Sequence, residues 1–250
     1  MATALVLLNN VLRGLRRDVV TETSTTNSYH LLLLQFLNLA KERIEEQWDW
    51  HAMRQTVTVT VSQGTVEYAL TAAGPADVDV GDRARLLYER PALGYGDASL
   101  VSTMWVEGSL PQVYDVTDAT EYRLNEISPE QMEGLHLGDN DEQNRPTDFT
   151  LYRDADNMIM KLWPTPSGSR TLKMRFVIPQ AEIPSTGMTA YTLSIPSRPV
   201  WLSALLMAIE ERGEESGRPM QSMNREYEDA LFLALDRERL AMSDSTGYPV

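Results

Sequence analysis

Paired acidic side chains come closest, in type and spacing, to a catalytic pattern in this chain. Glu210-Glu211 and Glu214-Glu215 offer carboxylates of the kind that glycoside hydrolases use as acid and nucleophile. Those enzymes hold two carboxyl groups at a set separation across a cleft, and adjacent residues at a helix end do not provide that geometry. The four glutamates are therefore predicted to form a solvated helix terminus.

Two other patterns resemble binding loops without completing them. Asp139-Asn140-Asp141 begins like a calcium loop, but Asn144 stands where such a loop has glycine, and Thr150 where it has glutamate. Gly94 to Ser99 starts like a dinucleotide-binding loop, yet a third glycine and a strand-to-helix context are missing. An incidental cation at the acidic loop stays open, and no cofactor, metal site or catalytic residue is predicted.

The composition is that of a globular protein and excludes several classes of site. With 250 residues, of which 42% are hydrophobic and 23% charged, the chain can bury the core of one large domain or two smaller ones. The absence of cysteine excludes disulfides, thiolate catalysis and cysteine-based zinc sites. Ala2 to Leu8 is too short for a secretory segment, and Leu31 to Leu39 is far below the ~20 apolar residues of a membrane span. A soluble protein without a membrane partner is predicted.

The net charge of −14 argues against a protein that grips nucleic acid, because phosphate binding needs lysine and arginine. An acidic wall would still let a DNA duplex slide past without sticking. Acidic residues concentrate in residues 118–156, with eleven Asp or Glu against three Arg, and in residues 210–244, with ten against five. We interpret both stretches as solvated surface.

Helical periodicity occurs at both ends of the chain. Apolar residues at three- and four-residue steps predict helices over residues 3–17 and about 26–49, the second reaching Trp48-Asp49-Trp50. After Ile195-Pro196-Ser197 the pattern predicts a central helix that is apolar nearly all round, and then a last helix over about residues 219–242. The second helix is too long for the first to cover, so we expect the C-terminal helices to pack against it.

Between these helices, short alternating segments predict β-strands. Residues 55–61 and 65–70 flank Ser62-Gln63-Gly64 and predict a hairpin. Further strands are predicted over residues 83–88, 100–106, 112–116, 149–152, 157–163 and 171–178, a spacing typical of a small antiparallel sandwich or barrel. The acidic residues 127–145 predict a long projecting loop with a short helix signal at Ser128-Pro129-Glu130.

The predicted fold is α+β: a helical bundle from N- and C-terminal helix pairs, with an inserted antiparallel β-sandwich or barrel domain. Residues 1–54 and 196–242 form the bundle, residues 55–195 form the β domain, and residues 243–250 form a flexible tail. Trp48 and Trp50 mark the hinge, and together with Trp201 they are predicted to pack the bundle against the β domain.

Four segments of the chain carry a family likeness. They are Leu8-Asn9-Asn10-Val11-Leu12-Arg13-Gly14-Leu15-Arg16, the helix ending in Trp48-Asp49-Trp50, the predicted hairpin Thr56 to Tyr68, and Ile195 to Trp201 leading into Ala208 to Gly213. These segments and their order along the chain resemble those of the head-to-tail adaptor proteins (head–tail connector or tail tubular type) of tailed bacteriophages. The likeness is strongest to the adaptors of short-tailed phages. Nothing from about Ala72 to Asp156 matches residue by residue.

The resemblance implies a structural protein of the virion neck or tail, made in the host cytoplasm, and not an enzyme. Such adaptors form a homo-oligomeric ring, usually a dodecamer, beneath the portal protein ring of the filled capsid. The ring extends the DNA channel, through which DNA passes without specific binding. It also offers a docking surface to tail nozzle, tube or fibre proteins.

The resemblance also implies two groups of contact residues. Candidate portal contacts in the tail are Ser243, Asp244, Thr246, Tyr248 and Val250. Candidate tail-facing residues in the acidic loop are Glu130, Glu133, Asp139, Asp141 and Glu142. A flexible tail of this kind would lose its conformational entropy only on binding.

Two other functions stay open. A head-completion stopper or a tail-tube terminator is typically smaller or richer in β-structure, and the long helix pairs favour the adaptor over both. A soluble enzyme with an acidic active site is the third reading, and the missing catalytic constellation counts against it.

Overall fold

The computed structural model describes residues 2–89, 110–137, 143–154, 157–212 and 219–245. Within these residues the fold is mixed α+β, with five α-helices and predominantly antiparallel sheets. The chain divides into two compact units: Met1–Met53 with Gln180–Val250, and Arg54–Pro179. We call them the helical unit and the β unit.

The helical unit contains four of the helices. They are α1 (Ala4–Gly14), α2 (Ser28–Gln47), α4 (Ser197–Arg212) and α5 (Met220–Ser245), with a short 3-10 turn at His51–Met53 after α2. The side chains of Thr3 and Asn27 cap α1 and α2 by accepting from the backbone N–H groups of Val6 and Tyr29. Each helix lies within a few residues of its predicted position. None of the described helices is both long and apolar enough to span a membrane.

Helix α4 is the centre of the helical unit, as its apolar circumference predicts. It packs against α1, α2 and α5. Its side chains at Val200, Leu202, Ala204, Leu205 and Ala208 are all buried. A helix with neighbours on three sides has to be apolar on most of its circumference.

Residues 180–195, which precede α4, are bonded to the helices of this unit. Asn38 and Ile183 exchange two hydrogen bonds, of 3.3 and 2.7 Å. Lys41 donates to the Gln180 carbonyl, and the Gln180 N–H donates to Glu45 at 3.1 Å. These long-range bonds group residues 180–195 with the helices, whereas the sequence pattern places the end of the β domain at residue 195.

In the described part of the β unit, the chain forms the remaining helix and thirteen short strands. They are β1 (Arg54–Val61), β2 (Glu67–Ala69), β3 (Arg85–Leu86), β4 (Tyr88–Glu89), β5 (Leu110–Pro111), β6 (Val113–Asp115), β7 (Tyr122–Arg123), β8 (Asn125–Glu126), α3 (Pro129–Leu137), β9 (Gln143–Asn144), β10 (Asp148–Asp154), β11 (Asn157–Trp163), β12 (Thr165–Pro166) and β13 (Arg170–Val177). The strand predicted over residues 100–106 lies outside the described residues.

Two sheets supply the core of the β unit. One has the order β1-β13-β6-β7 with β3 also on β13, and the other has the order β2-β11-β10-β8. Both contribute to a single hydrophobic cluster, for example Val57 and Phe176 from the first and Met160 and Phe149 from the second. The pairs β8–β10 and β9–β12 are parallel. The prediction of antiparallel pairing therefore holds for most, but not all, of the described strand pairs.

The predicted hairpin between β1 and β2 is wrong, although its turn is present. Thr65 donates to the Ser62 carbonyl at 3.4 Å, and Gly64 has the positive φ of 74° that suits glycine. β1 instead pairs with β13 along its full length, whereas β2 pairs with β11 in the other sheet. The other edge of β1 is occupied as well, because Thr60 N–H donates to the Pro75 carbonyl and Asp77 N–H donates to the Thr58 carbonyl.

The acidic stretch predicted as a loop over residues 127–145 contains a nine-residue helix, α3. Ser128 and Gln131 form a reciprocal capping pair, with bonds of 3.3 and 3.1 Å, at the start of this helix. Met132 is fully buried and anchors the helix. Capping and one anchoring side chain therefore order a segment whose composition favours a loop.

Candidate functional site

Among the described residues, no group of three or more His, Asp or Glu could hold a metal ion. Glu210 and Glu211 lie exposed near the end of α4, and Glu214-Glu215 lie outside the described residues. Candidate surfaces among the described residues include two grooves on the helical unit and a charged cluster in the β unit.

The first groove lies between α2 and α4 and has a volume of about 540 Å³. Its lining combines apolar side chains with four glutamates: Phe36, Leu39, Glu42, Arg43, Glu46, Met207, Glu210 and Glu211. On each helix these residues recur at three- and four-residue steps, which places them on one face. Leu39 is 53% exposed. We call this surface the acidic groove.

The second groove lies between α1, α4 and α5 and has a volume of about 490 Å³. Its lining comprises Asn10, Arg13, Gly14, Arg16, Trp201, Leu202, Leu205, Met223 and Glu226. A depression of about 420 Å³ beside it shares Glu226 and adds Arg198, Ser222, Arg225, Asp229, Ala230 and Leu233. We call the two together the basic groove.

The backbone at the end of α1 holds Arg16 in an unusual conformation. Arg16 has a positive φ of 56°, the left-handed conformation that glycine normally supplies after a helix. The helix closes with bonds from Arg17 N–H to the Leu12 carbonyl, 2.9 Å, and from Arg16 N–H to the Arg13 carbonyl, 3.1 Å. A side chain at this position costs on the order of 1 kcal/mol. An exposed arginine therefore occupies the basic groove at the expense of stability.

The three tryptophans predicted to pack the bundle against the β domain lie in different surroundings within the helical unit. Trp50 is buried, and its indole N–H donates to the Ile44 carbonyl at 2.8 Å. Trp48 is buried too, with the Arg239 guanidinium 5.6 Å from its ring centroid. Trp201 lies half-buried in the basic groove. Their role as packing between bundle and β domain stays a prediction.

The two predicted groups of contact residues are only partly described. Glu130 and Glu133 lie exposed on α3, whereas Asp139, Asp141 and Glu142 lie outside the described residues. Backbone hydrogen bonding and the Ser128 hydroxyl lower the pKa of Glu130, so it stays ionised.

On the tail side, α5 continues to Ser245 and so includes Ser243 and Asp244, three residues beyond its predicted end. The candidate portal contacts Thr246, Tyr248 and Val250 lie outside the described residues. The helix therefore carries the chain to within five residues of its C-terminus.

A buried charged cluster in the β unit has no local signal in the sequence, because its members come from positions far apart in the chain. The fully buried carboxylate of Asp115, at the end of β6, accepts from Arg145 Nε at 2.9 Å and Arg170 Nη1 at 3.0 Å. It also accepts from the hydroxyl and N–H of Thr117, at 2.6 and 3.0 Å. Asp118 lies 3.2 Å from Arg170. The cluster ties three segments of the β unit together.

Titration of Asp115 should make the β unit sensitive to acid. Burial raises the pKa of Asp115, but the hydrogen bonds from Thr117 and the guanidinium groups of Arg145 and Arg170 outweigh it and leave the pKa below its usual value. A carboxylate whose pKa is lowered in the folded state stabilises the fold fully above its unfolded pKa of about 4. This stabilisation is lost as the pH falls through the folded-state pKa.

We expect Asp115→Asn to lower the free energy of unfolding by about 1.5–3 kcal/mol near neutral pH, and to flatten the loss of stability below about pH 4. Urea unfolding at neutral and acidic pH measures both effects. Asp118→Asn is the matched control, because Asp118 is 59% exposed and should contribute less than about 1 kcal/mol. An equal effect of the two substitutions would contradict this role of the buried carboxylate.

A protein-family model described as SU10 adaptor protein matches residues 2–248 of the chain. This range includes both units and all the helices and strands given above. No curated protein matches the chain. The family match confirms the resemblance to phage adaptor proteins, and the short-tailed subtype stays an expectation. With nearly its whole length matched, the chain belongs to the SU10 adaptor protein family, and is a bacteriophage adaptor-type protein.

Proposed function

We propose that this protein forms an adaptor ring that joins the portal of the DNA-filled capsid to the tail and extends the DNA channel. The observation that carries the proposal is the family match over residues 2–248. It favours an adaptor over a head-completion stopper or a tail-tube terminator. The same match favours a structural role over an enzymatic one.

The physical character of the chain supports this role. Its net charge of −14 suits a channel that must pass DNA without retaining it, because like charges repel. The helical unit presents grooves with exposed apolar side chains, of the kind that association covers. Its partners in this proposal are the portal ring, further copies of itself, and tail nozzle, tube or fibre proteins.

Light scattering tests the proposal directly. The mass of the full-length protein is measured alone and after mixing with purified portal rings of the same virion, and electron microscopy then shows the shape of any complex. We expect a complex whose added mass corresponds to a closed ring of adaptor copies on the portal. A protein that stays monomeric and does not bind portal rings would contradict the proposal.

The tail after α5 gives a narrower prediction about portal attachment. We expect deletion of residues 243–250 to weaken attachment to portal rings about tenfold or more, equivalent to ~1.4 kcal/mol, without lowering the unfolding temperature. A shorter deletion of residues 246–250 spares α5 and should have the same effect, because it removes three of the five candidate contacts. Unchanged attachment of both deletion variants would exclude the tail as a portal contact.

A further inference from the structure

The acidic and basic grooves lie on opposite faces of the same helix. Successive residues of an α-helix turn by about 100°, so Arg198, Trp201 and Leu205 cluster on one face of α4. Met207, Glu210 and Glu211 then point roughly 180° away. The grooves that these two sets line are therefore on opposite sides of the helical unit.

The two grooves also differ in charge. The acidic groove is lined by four glutamates and one arginine. The basic groove carries four arginines, at positions 13, 16, 198 and 225, against Glu226 and Asp229. A local excess of positive charge stands out on a chain whose net charge is −14. Charge complementarity between two surfaces steers their association and fixes its register.

Each groove also offers apolar surface to a partner. Leu39 in the acidic groove is 53% exposed, and Leu233 at the edge of the basic groove is 49% exposed. Trp201 is half-buried in the floor of the basic groove. Exposed apolar side chains beside charged ones are typical of surfaces that form protein–protein contacts.

From these observations we propose that the acidic groove of one copy binds the basic groove of the next copy. The inference rests on the proposed ring, and it names the surfaces that build it. Complementary surfaces on opposite faces make a head-to-tail contact, which closes into a ring when the rotation per subunit allows it. A self-complementary patch would instead stop at a two-fold dimer. In this arrangement the positive φ of Arg16 lowers the stability of the fold, and the arginine is retained because it contributes to assembly.

Charge reversal on each face tests the contact. One full-length variant carries Glu210→Arg and Glu211→Arg, and a second carries Arg13→Glu and Arg16→Glu. We expect each variant alone to assemble on portal rings at least tenfold less than the wild type, because both of its grooves then have the same sign. An equimolar mixture should recover assembly, because the copies can alternate with every contact complementary. Sedimentation with portal rings measures the adaptor mass retained.

Two controls separate this contact from general effects of charge and folding. Glu22→Arg with Glu182→Arg reverses two exposed acidic residues outside both grooves and should assemble like the wild type. Arg16→Gly removes one cation and also relieves the left-handed backbone, so we expect it to weaken assembly while the unfolding temperature stays unchanged or rises. This variant tests the surface even if a charge-reversed chain folds poorly.

The outcomes distinguish the inference from the proposed function. If the wild type assembles on the portal and each reversed variant alone assembles equally well, the proposed groove contact is wrong. The proposed adaptor ring would still stand. Failure of the mixture of well-folded variants to recover would also overturn the groove contact. Failure of the wild type itself to assemble on portal rings would reject the proposed function.

Discussion

Replacing Trp50 with alanine should lower the free energy of unfolding by about 3–5 kcal/mol, the range for large aromatic residues in a core. Trp50 is 1% exposed, so truncation removes almost the whole ring from a packed, buried position. Its indole N–H also caps Ile44, one of the last four carbonyls of α2, which have no donor within the helix. Chemical denaturation followed by far-UV circular dichroism measures the loss.

Trp48 supplies the matched comparison. Among the described residues its buried indole N–H has no hydrogen-bond partner, whereas the N–H of Trp50 is bonded. We therefore expect Trp50→Phe to cost about 1–3 kcal/mol, because it leaves the Ile44 carbonyl unsatisfied, and Trp48→Phe to cost less than that. If Trp50→Ala cost well under 3 kcal/mol and portal assembly stayed intact, the result would contradict the predicted packing role of Trp50.

The second large effect should follow from breaking the buried ion pair of α2. Lys41 and Glu45 are each 1% exposed, and Lys41 Nζ lies 3.3 Å from Glu45 Oε1. Lys41→Met removes this cation from beside a buried carboxylate, which still accepts from Gln180 N–H at 3.1 Å. We expect a loss of about 3–5 kcal/mol, because removing one partner of a buried ion pair is strongly destabilising.

A double-mutant cycle checks this assignment. Adding Glu45→Leu to Lys41→Met removes the buried carboxylate as well, so the double variant should be less destabilised than the sum of the single variants by about 0.5–3 kcal/mol. The exposed pair of Lys161 and Glu67, 3.2 Å apart with Glu67 53% exposed, is the matched control and should show a coupling below about 1 kcal/mol. Equal coupling in both cycles would mean that burial does not strengthen the Lys41–Glu45 interaction.

Positions of the longer helices and strands were accessible from the sequence, because they depend on neighbouring residues. The alternation in residues 157–163 predicts β11 with both of its ends, and the apolar periodicity predicts α2 to within two residues. The apolar circumference of residues after 199 likewise predicts a central α4. The likeness to phage adaptor proteins was also visible in the sequence, and the family match agrees with it.

The pairing of strands and the burial of charged side chains were decided only in the tertiary structure. The turn at Ser62–Gly64 predicts a hairpin, yet β1 finds its partner in β13, more than a hundred residues later. Residues 75–77 bond to the other edge of β1, and β2 pairs with β11. Local patterns do not show which distant segments will reach the two edges of a strand.

The same reasoning explains the sites that sequence patterns missed. No sequence pattern marked Lys41 and Glu45 as buried. In the structure, the backbone of Gln180 bonds to both side chains. Asp115 receives its arginines from positions 30 and 55 residues away. By itself, the sequence determined the longer helices and strands and the likeness to phage adaptor proteins. The tertiary structure decided which charges are buried and which faces of α4 line opposite grooves, because both depend on contacts between distant segments.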